Sequence, residues 1–210
     1  MIKEQKIQKD SILTIKEFKM KILMAALFTI SSFGALAQTY NVDPAQTKIT
    51  YVGKKVTGEH TGHLKAKSGK ITVKGEEITG GEVVVDMNSL TSTDIKDPEY
   101  NAKFVGHMKS EDFFNTAKFP EAKLVIKSSK KSDKGLEVKG DMTILGQTKP
   151  VSFVVTDIKK TDSSFSGKSN LTLDRTLWGI KYGSTSFFKS LGDKAINNDF
   201  NLTIELAAKK

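Results

Sequence analysis

The stretch Leu136–Thr156, LEVKGDMTILGQTKPVSFVVT, decides the fold. Leu136, Val138, Met142 and Ile144 fall on one side of an extended chain, with Glu137, Lys139, Asp141 and Thr143 on the other. Residues two apart share a face of a β-strand, so this run reads as a strand with one buried and one wet side. Val151, Phe153 and Val155 then oppose Ser152, Val154 and Thr156, and Gly146-Gln147-Thr148 between the runs reads as a tight hairpin connection.

The same alternation extends outward in both directions. Phe200, Leu202, Ile204 and Leu206 alternate with Asn201, Thr203 and Glu205 near the end of the chain. Further strands are predicted at 48–56, 63–66, 70–73, 81–88, 122–129 and 164–174, giving about eight or nine, separated by Gly, Asp, Asn and Lys-Ser turns. One apolar side on nearly every strand points to an antiparallel sheet closed into a barrel or folded into a sandwich, whereas parallel α/β strands would be apolar throughout. The main interruption is Asp97–Asn115. Asp97-Pro98 is a helix start, Asp as N-cap and Pro at the first helical position, and Phe104 and Met108 lie one turn apart beyond it.

The 210 residues divide into two parts. Residues 1–37 end in MKILMAALFTISSFGALA from Met20, with a basic start, a short apolar run and Ala35-Leu36-Ala37 before Gln38. That is the layout of a secretory signal peptide, with Met20 an alternative start. Residues 38–210 suit one domain. The chain has no Cys, which excludes disulfides, thiolate metal sites, a Cys nucleophile and a lipidated Cys. A soluble protein in the periplasm, or secreted, is expected, with no membrane span after cleavage. The net charge of +9 is spread along the chain, with neither the basic stripe nor the module that nucleic-acid binding requires.

Two clusters carry candidate chemistry. If the helix continues, His107 and Glu111 share a face and could hold a metal or a proton, with Asp112 beside them. The competing reading has His107 hydrogen-bonding to the backbone of the next loop. His60 and His63, three apart, point to opposite faces of a strand and converge only if Thr61-Gly62 turns. No nucleophile elbow, phosphate loop or H-E-x-x-H occurs. A hydrolytic or metal-dependent enzyme using His107 and Glu111 is one alternative, and a filled barrel serving as a stress-response interaction module is another. The inward candidates, among them Tyr51, Val85, Met142, Phe153 and Leu202, either fill a barrel or line one, since eight strands is the size at which both occur. Phe104, Phe113, Phe114, Phe119, Trp178, Phe187 and Phe188 lie outside the best strands and either plug an end or frame a mouth.

Several further stretches form one pattern along the chain. They are Tyr40-Asn41-Val42-Asp43-Pro44 with Thr47-Lys48-Ile49, GGEVVVDMNSLTSTD at 80–94, and His107, Lys109-Ser110, Asp112-Phe113-Phe114-Asn115 and Phe119-Pro120. Gly140-Asp141-Met142-Thr143-Ile144 with Gly146 and Thr148-Lys149-Pro150-Val151, Asp174-Arg175 with Trp178-Gly179-Ile180, and Leu191-Gly192-Asp193-Lys194 complete the pattern. Together these stretches resemble the YceI-like, polyisoprenoid-binding family of exported bacterial proteins. Met108 stands where Leu or Ile is usual in that family and Trp178 replaces the common Phe, both remaining apolar.

The resemblance implies an all-β fold, an extended eight-stranded antiparallel lipocalin-like barrel with a short helical insertion and a long apolar pocket. It further implies a non-enzymatic carrier for a long-chain amphiphile such as a polyisoprenoid, an isoprenoid quinone or a fatty-acid derivative, with no cofactor beyond that non-covalent lipid. The expected site places the tail along Tyr51, Val85, Met142, Phe153 and Leu202, with Phe113, Phe114, Trp178 and Phe188 framing the pocket. The aromatic mouth also offers a surface for a homodimer.

Overall fold

The alternating runs become a closed antiparallel barrel in the computed structural model, which describes residues 36–210. The expected signal peptide, apart from its last two residues, lies outside the described residues. The strands are β1 (Gln38–Val42), β2 (Lys48–Lys55), β3 (Gly58–Lys74), β4 (Glu77–Asp86), β5 (Glu121–Ser132), β6 (Gly135–Ile144), β7 (Gln147–Lys160), β8 (Ser164–Asp174) and β9 (Ile196–Lys209). Each of β2 to β9 pairs with the next in sequence, and β9 pairs back onto β2. This closes eight positions, because β1 and β2 share one. β2 pairs with the first half of β3, while β1 pairs with Lys70–Val73 in its second half and with the end of β9.

The break within that shared position is mended by a side chain. The Thr47 hydroxyl donates to the Ala207 carbonyl at 3.1 Å and accepts from the Ala207 amide at 3.2 Å, replacing ladder bonds that the turn at Asp43–Thr47 removes. The two strands expected at 63–66 and 70–73 are one, β3. Its register slips between Ala66 and Ser68, and such a bulge bends a strand without ending it. The β6–β7 turn is Leu145-Gly146, not Gly146-Gln147-Thr148. Both turn residues have positive φ, 50° and 70°, the pattern of a two-residue type I′ hairpin.

Up-and-down order gathers the two long connections, 87–120 and 175–195, at one end. Short turns at Gly75-Glu76, Asp133-Lys134 and 161–163 form the other end, which is solid. Tyr40, Ile71, Val73, Ile78 and Phe165 are all essentially inaccessible there. The Tyr40 hydroxyl donates to the Thr161 carbonyl at 2.8 Å, so its polar tip is satisfied inside the plug.

The β7–β8 ladder is partial. It runs only from Lys160↔Phe165 to Val155↔Ser169, leaving the first half of β7 without a β8 partner. Pro150, which has no N–H to give, sits in that half. The 3₁₀ turn Arg175–Trp178 attaches to the neighbouring strands instead. Gln147 donates to the Trp178 carbonyl at 3.0 Å, and the Trp178 indole N–H donates to the Met142 carbonyl at 3.2 Å.

Candidate functional site: an apolar cavity under a helical lid

Inward residues of the strands do not meet at the barrel centre. Between them lies a cavity of about 200 Å³, well over the roughly 10–15 Å³ that one water requires. The barrel is therefore not filled by its own side chains. Tyr51, Val85, Met142, Phe153 and Leu202 all line it, from β2, β4, β6, β7 and β9, and the wall is almost wholly carbon. Ile71, Ile78 and Phe165 of the solid end form its floor.

The roof is the 87–120 connection. Helix α1 (Pro98–Lys109) starts as its sequence indicates, the Asp97 carboxylate accepting from the Tyr100 amide at 2.7 Å with Pro98 at the first position. None of its residues is fully buried, yet Phe104 and Met108 reach the cavity wall. Phe104 is one of the aromatics expected to plug an end or frame a mouth, whereas Met108 is not among the expected site residues, its four-residue spacing from Phe104 being the available signal. Beyond the helix, Phe113 is buried and Phe114 half-buried, and both line the cavity. Trp178 is only 1% exposed and off the wall, bonded into the barrel end. Phe188 is 49% exposed and also off the wall.

A lid whose own residues stay partly exposed needs fastening, and the polar groups of 91–94 provide it. The Thr91 and Thr93 amides donate to the carbonyls of His63 and Thr61 at 3.1 and 2.9 Å, docking this segment along β3. The Tyr51 hydroxyl donates to the Thr91 carbonyl at 2.8 Å, and the Asp94 carboxylate bonds His60 at 2.8 Å and the Thr61 amide at 3.0 Å. Burial opposes ionisation of Asp94, but hydrogen bonds from His60, Thr61 and Ser92 outweigh it and hold the carboxyl below the usual range. His60 also packs against Phe104, the rings tilted by 46° with centroids 4.5 Å apart.

The Tyr51 pKa is pushed up to about 12, first by burial and then by the Asp94 charge. A folded-state value above the unfolded one gives stability that is complete below pH ~10 and is lost as pH rises through the folded value. Between about pH 10 and 12 the protein should lose roughly 2 kcal/mol for this reason. Unfolding free energies measured across that window should show the loss in the wild type and not in Tyr51→Phe.

Gly106 lies on the open side of α1, where an added Cβ would meet nothing within 4 Å. Glycine inside a helix costs about 0.5–1 kcal/mol relative to alanine. Gly106→Ala should therefore stabilise the lid by that amount, seen as slower amide exchange across 98–109.

The histidines take positions that the sequence leaves open. Helix α1 ends at Lys109, so His107 and Glu111 do not share a helical face, and the His107 ring pairs with Asp112 at 3.0 Å instead of with loop backbone. His107 also packs edge-on against Phe113 and Tyr182. β3 runs unbroken through Thr61-Gly62, leaving His60 at the cavity wall and His63 outside against Thr50. No group of three or more His, Asp or Glu that could hold a metal occurs among the described residues. Arg175, buried beside the cavity, donates to the carbonyls of Ile180, Asn197 and Ile196 at 2.8, 3.0 and 3.1 Å, knitting the 3₁₀ turn to β9. Burial pushes its pKa down, with Asp174 acting against that.

A sequence model described as the YceI-like domain matches residues 40–208. Among curated proteins, Protein YceI of Escherichia coli O157:H7 is 30% identical over 152 residues, covering 70% of this chain and 75% of that one. A UPF0312 protein of Shewanella denitrificans is 33% identical over 131 residues, 61% of this chain and 60% of that one. Among solved structures, BcnA of Burkholderia cenocepacia is similar with a TM-score of 0.61 at 19% identity, over 80% of this chain and 99% of its own. A polyisoprenoid binding domain from Saccharophagus degradans, implicated in plant cell wall breakdown, gives 0.56 at 13%, over 81% and 97%. At such identities the two structures speak for the fold alone.

Proposed function

The chain belongs to the YceI-like family, and from that membership and the cavity we propose that it is a carrier for a long-chain, isoprenoid-like amphiphile held non-covalently in the barrel. The observation that carries this reading is the wall itself, a concave surface of carbon with its polar groups bonded away from the lumen. Such a surface binds by area. Each methylene withdrawn from water contributes about 0.8 kcal/mol, so a polyisoprenoid, quinone or fatty-acyl tail needs few polar contacts. The layout of residues 1–37 supports export, with 38–210 as the working domain in the periplasm. Among the described residues no helix is long and apolar enough to cross a membrane.

Binding, not catalysis, is the reading that the side chains favour. His107, the sharpest catalytic candidate, is bonded to an exposed Asp112 and is not on the cavity wall. Titration with fluorescent prenyl, quinone and fatty-acyl probes tests the proposal. Saturable binding of at least one class, displaced by an unlabelled long-chain analogue but not by its short-chain counterpart, is expected. Failure of all three to bind contradicts it.

A further inference from the structure

At the lid end of the barrel one loop turns its rings outward. Within 181–195 it is Ser184 that is inaccessible to solvent, while Tyr182, Phe187 and Phe188 stand 43%, 48% and 49% exposed. Ser184 anchors the loop from within. The Ser184 hydroxyl donates to Asn198 at 2.7 Å, Asn198 donates to Ser186 at 2.9 Å, and the Ile196 amide donates to the Gly183 carbonyl at 2.8 Å. The Phe187 and Phe188 amides both donate to the Ser184 carbonyl, which fixes the turn that presents their rings. At the tip of the adjoining β2–β3 hairpin Val56 is 64% exposed, and its amide donates to the Ala195 carbonyl at 3.1 Å, so tip and loop are tied together.

The apolar shelf is framed by positive charge. Lys181, Lys189 and Lys194 are exposed and have no carboxylate within ion-pair distance among the described residues, and Lys181 lies 4.9 Å over the Phe187 ring. The loop's one acid is Asp193. Aromatic rings among lysines match the boundary of a bilayer, where rings enter the headgroup layer and ammonium groups meet anionic lipid. A second copy of this chain fits less well, because a two-fold contact would set like charges against each other. The shelf is also continuous with the site. Tyr182 packs 5.3 Å from the Phe113 ring, and Phe113 lines the cavity.

We infer that Val56, Tyr182, Phe187 and Phe188, framed by these lysines, form a docking surface for an anionic phospholipid bilayer, with the lid end of the barrel held against the membrane for lipid transfer. The transfer role rests on the carrier reading above, whereas the docking itself does not.

The test compares flotation of the whole protein with phosphatidylcholine vesicles and with vesicles carrying roughly one quarter phosphatidylglycerol. Wild type should favour the anionic vesicles, the preference should fade at high salt, and Phe187→Ser with Phe188→Ser should cut binding by roughly tenfold. The double variant should bind soluble prenyl, quinone or fatty-acyl probes as the wild type does, which separates docking from the cavity. As a second measurement, an environment-sensitive fluorophore on Phe188→Cys, in a chain with no cysteine of its own, should shift to the blue with anionic vesicles. Equal flotation with both vesicle types, an unmoved fluorophore, or a dimer that the double variant dissociates would overturn the inference.

Discussion

Gly62→Ala should lower the melting temperature by roughly 6–12 °C, the equivalent of about 3 kcal/mol in a domain of this size. Gly62 lies opposite Tyr51 in the β2–β3 ladder and directly beneath the docked lid segment. A Cβ there would overlap the Thr91 carbonyl and sit 2.7 Å from the Tyr51 hydroxyl. Those two atoms are the partners of the bond that fastens the lid, so the methyl group cannot be accommodated by swinging one flexible side chain aside. Overpacking of this kind costs about 1–3 kcal/mol, and loss of the hydrogen bond adds about 1 kcal/mol. Gly53→Ala is the control. Gly53 lies on the facing strand, opposite His60, and its added Cβ would meet nothing within 4 Å. Thermal denaturation of both variants checks the account, and a Gly62→Ala protein that melts with the wild type would show the lid to be docked otherwise.

Leu202→Trp should weaken binding of a long-chain probe by about 100-fold while leaving stability nearly intact. Leu202 stands opposite both Tyr51 and Leu171 in its ladders and lines the cavity. An indole at this position would occupy space that the wild type leaves empty, so it displaces ligand before it strains the core. Excluding three or four methylenes removes about 3 kcal/mol at ~0.8 kcal/mol each, and each 1.4 kcal/mol is tenfold in affinity. Probe titration beside a thermal melt separates the two effects. Unchanged affinity in a folded variant would place the ligand elsewhere.

Much of the barrel was legible because burial on one side imposes a period of two. The runs at 136–144, 151–156 and 200–206 all appear as strands with the expected face inward. What misled is equally physical. Lys67-Ser68-Gly69-Lys70 reads as a turn, but Gly69 is where the backbone of β4 comes close, with the Glu82 carbonyl filling the space a side chain would need. β1 is too short at five residues to show a period, and its place depends on β3 and β9, far away in sequence.

The cavity lining was legible where it lies on strands and only half so on loops. Tyr51, Val85, Met142, Phe153 and Leu202 line the cavity because strand periodicity dictates their direction. Phe113-Phe114 and Phe187-Phe188 look alike as sequence, yet the first pair turns to the cavity and the second to solvent. The difference comes from their anchors: Ser184 bonds Asn198 on β9, a partner that no local pattern encodes, whereas the Phe114 amide folds back onto the Met108 carbonyl at the end of α1. His107 shows the converse, since its acidic neighbours suggested chemistry whereas its ring bonds Asp112 and packs against Phe113 and Tyr182.

The central claim is that the lumen holds the apolar tail of a lipid, and native mass spectrometry of protein purified from its own host tests it most directly. The expected spectrum shows a bound mass that organic extraction removes and that fragments as a long prenyl, quinone or fatty-acyl compound, absent from Leu202→Trp prepared in parallel. A ligand-free wild type that also takes up none of these compounds when they are supplied would contradict the account.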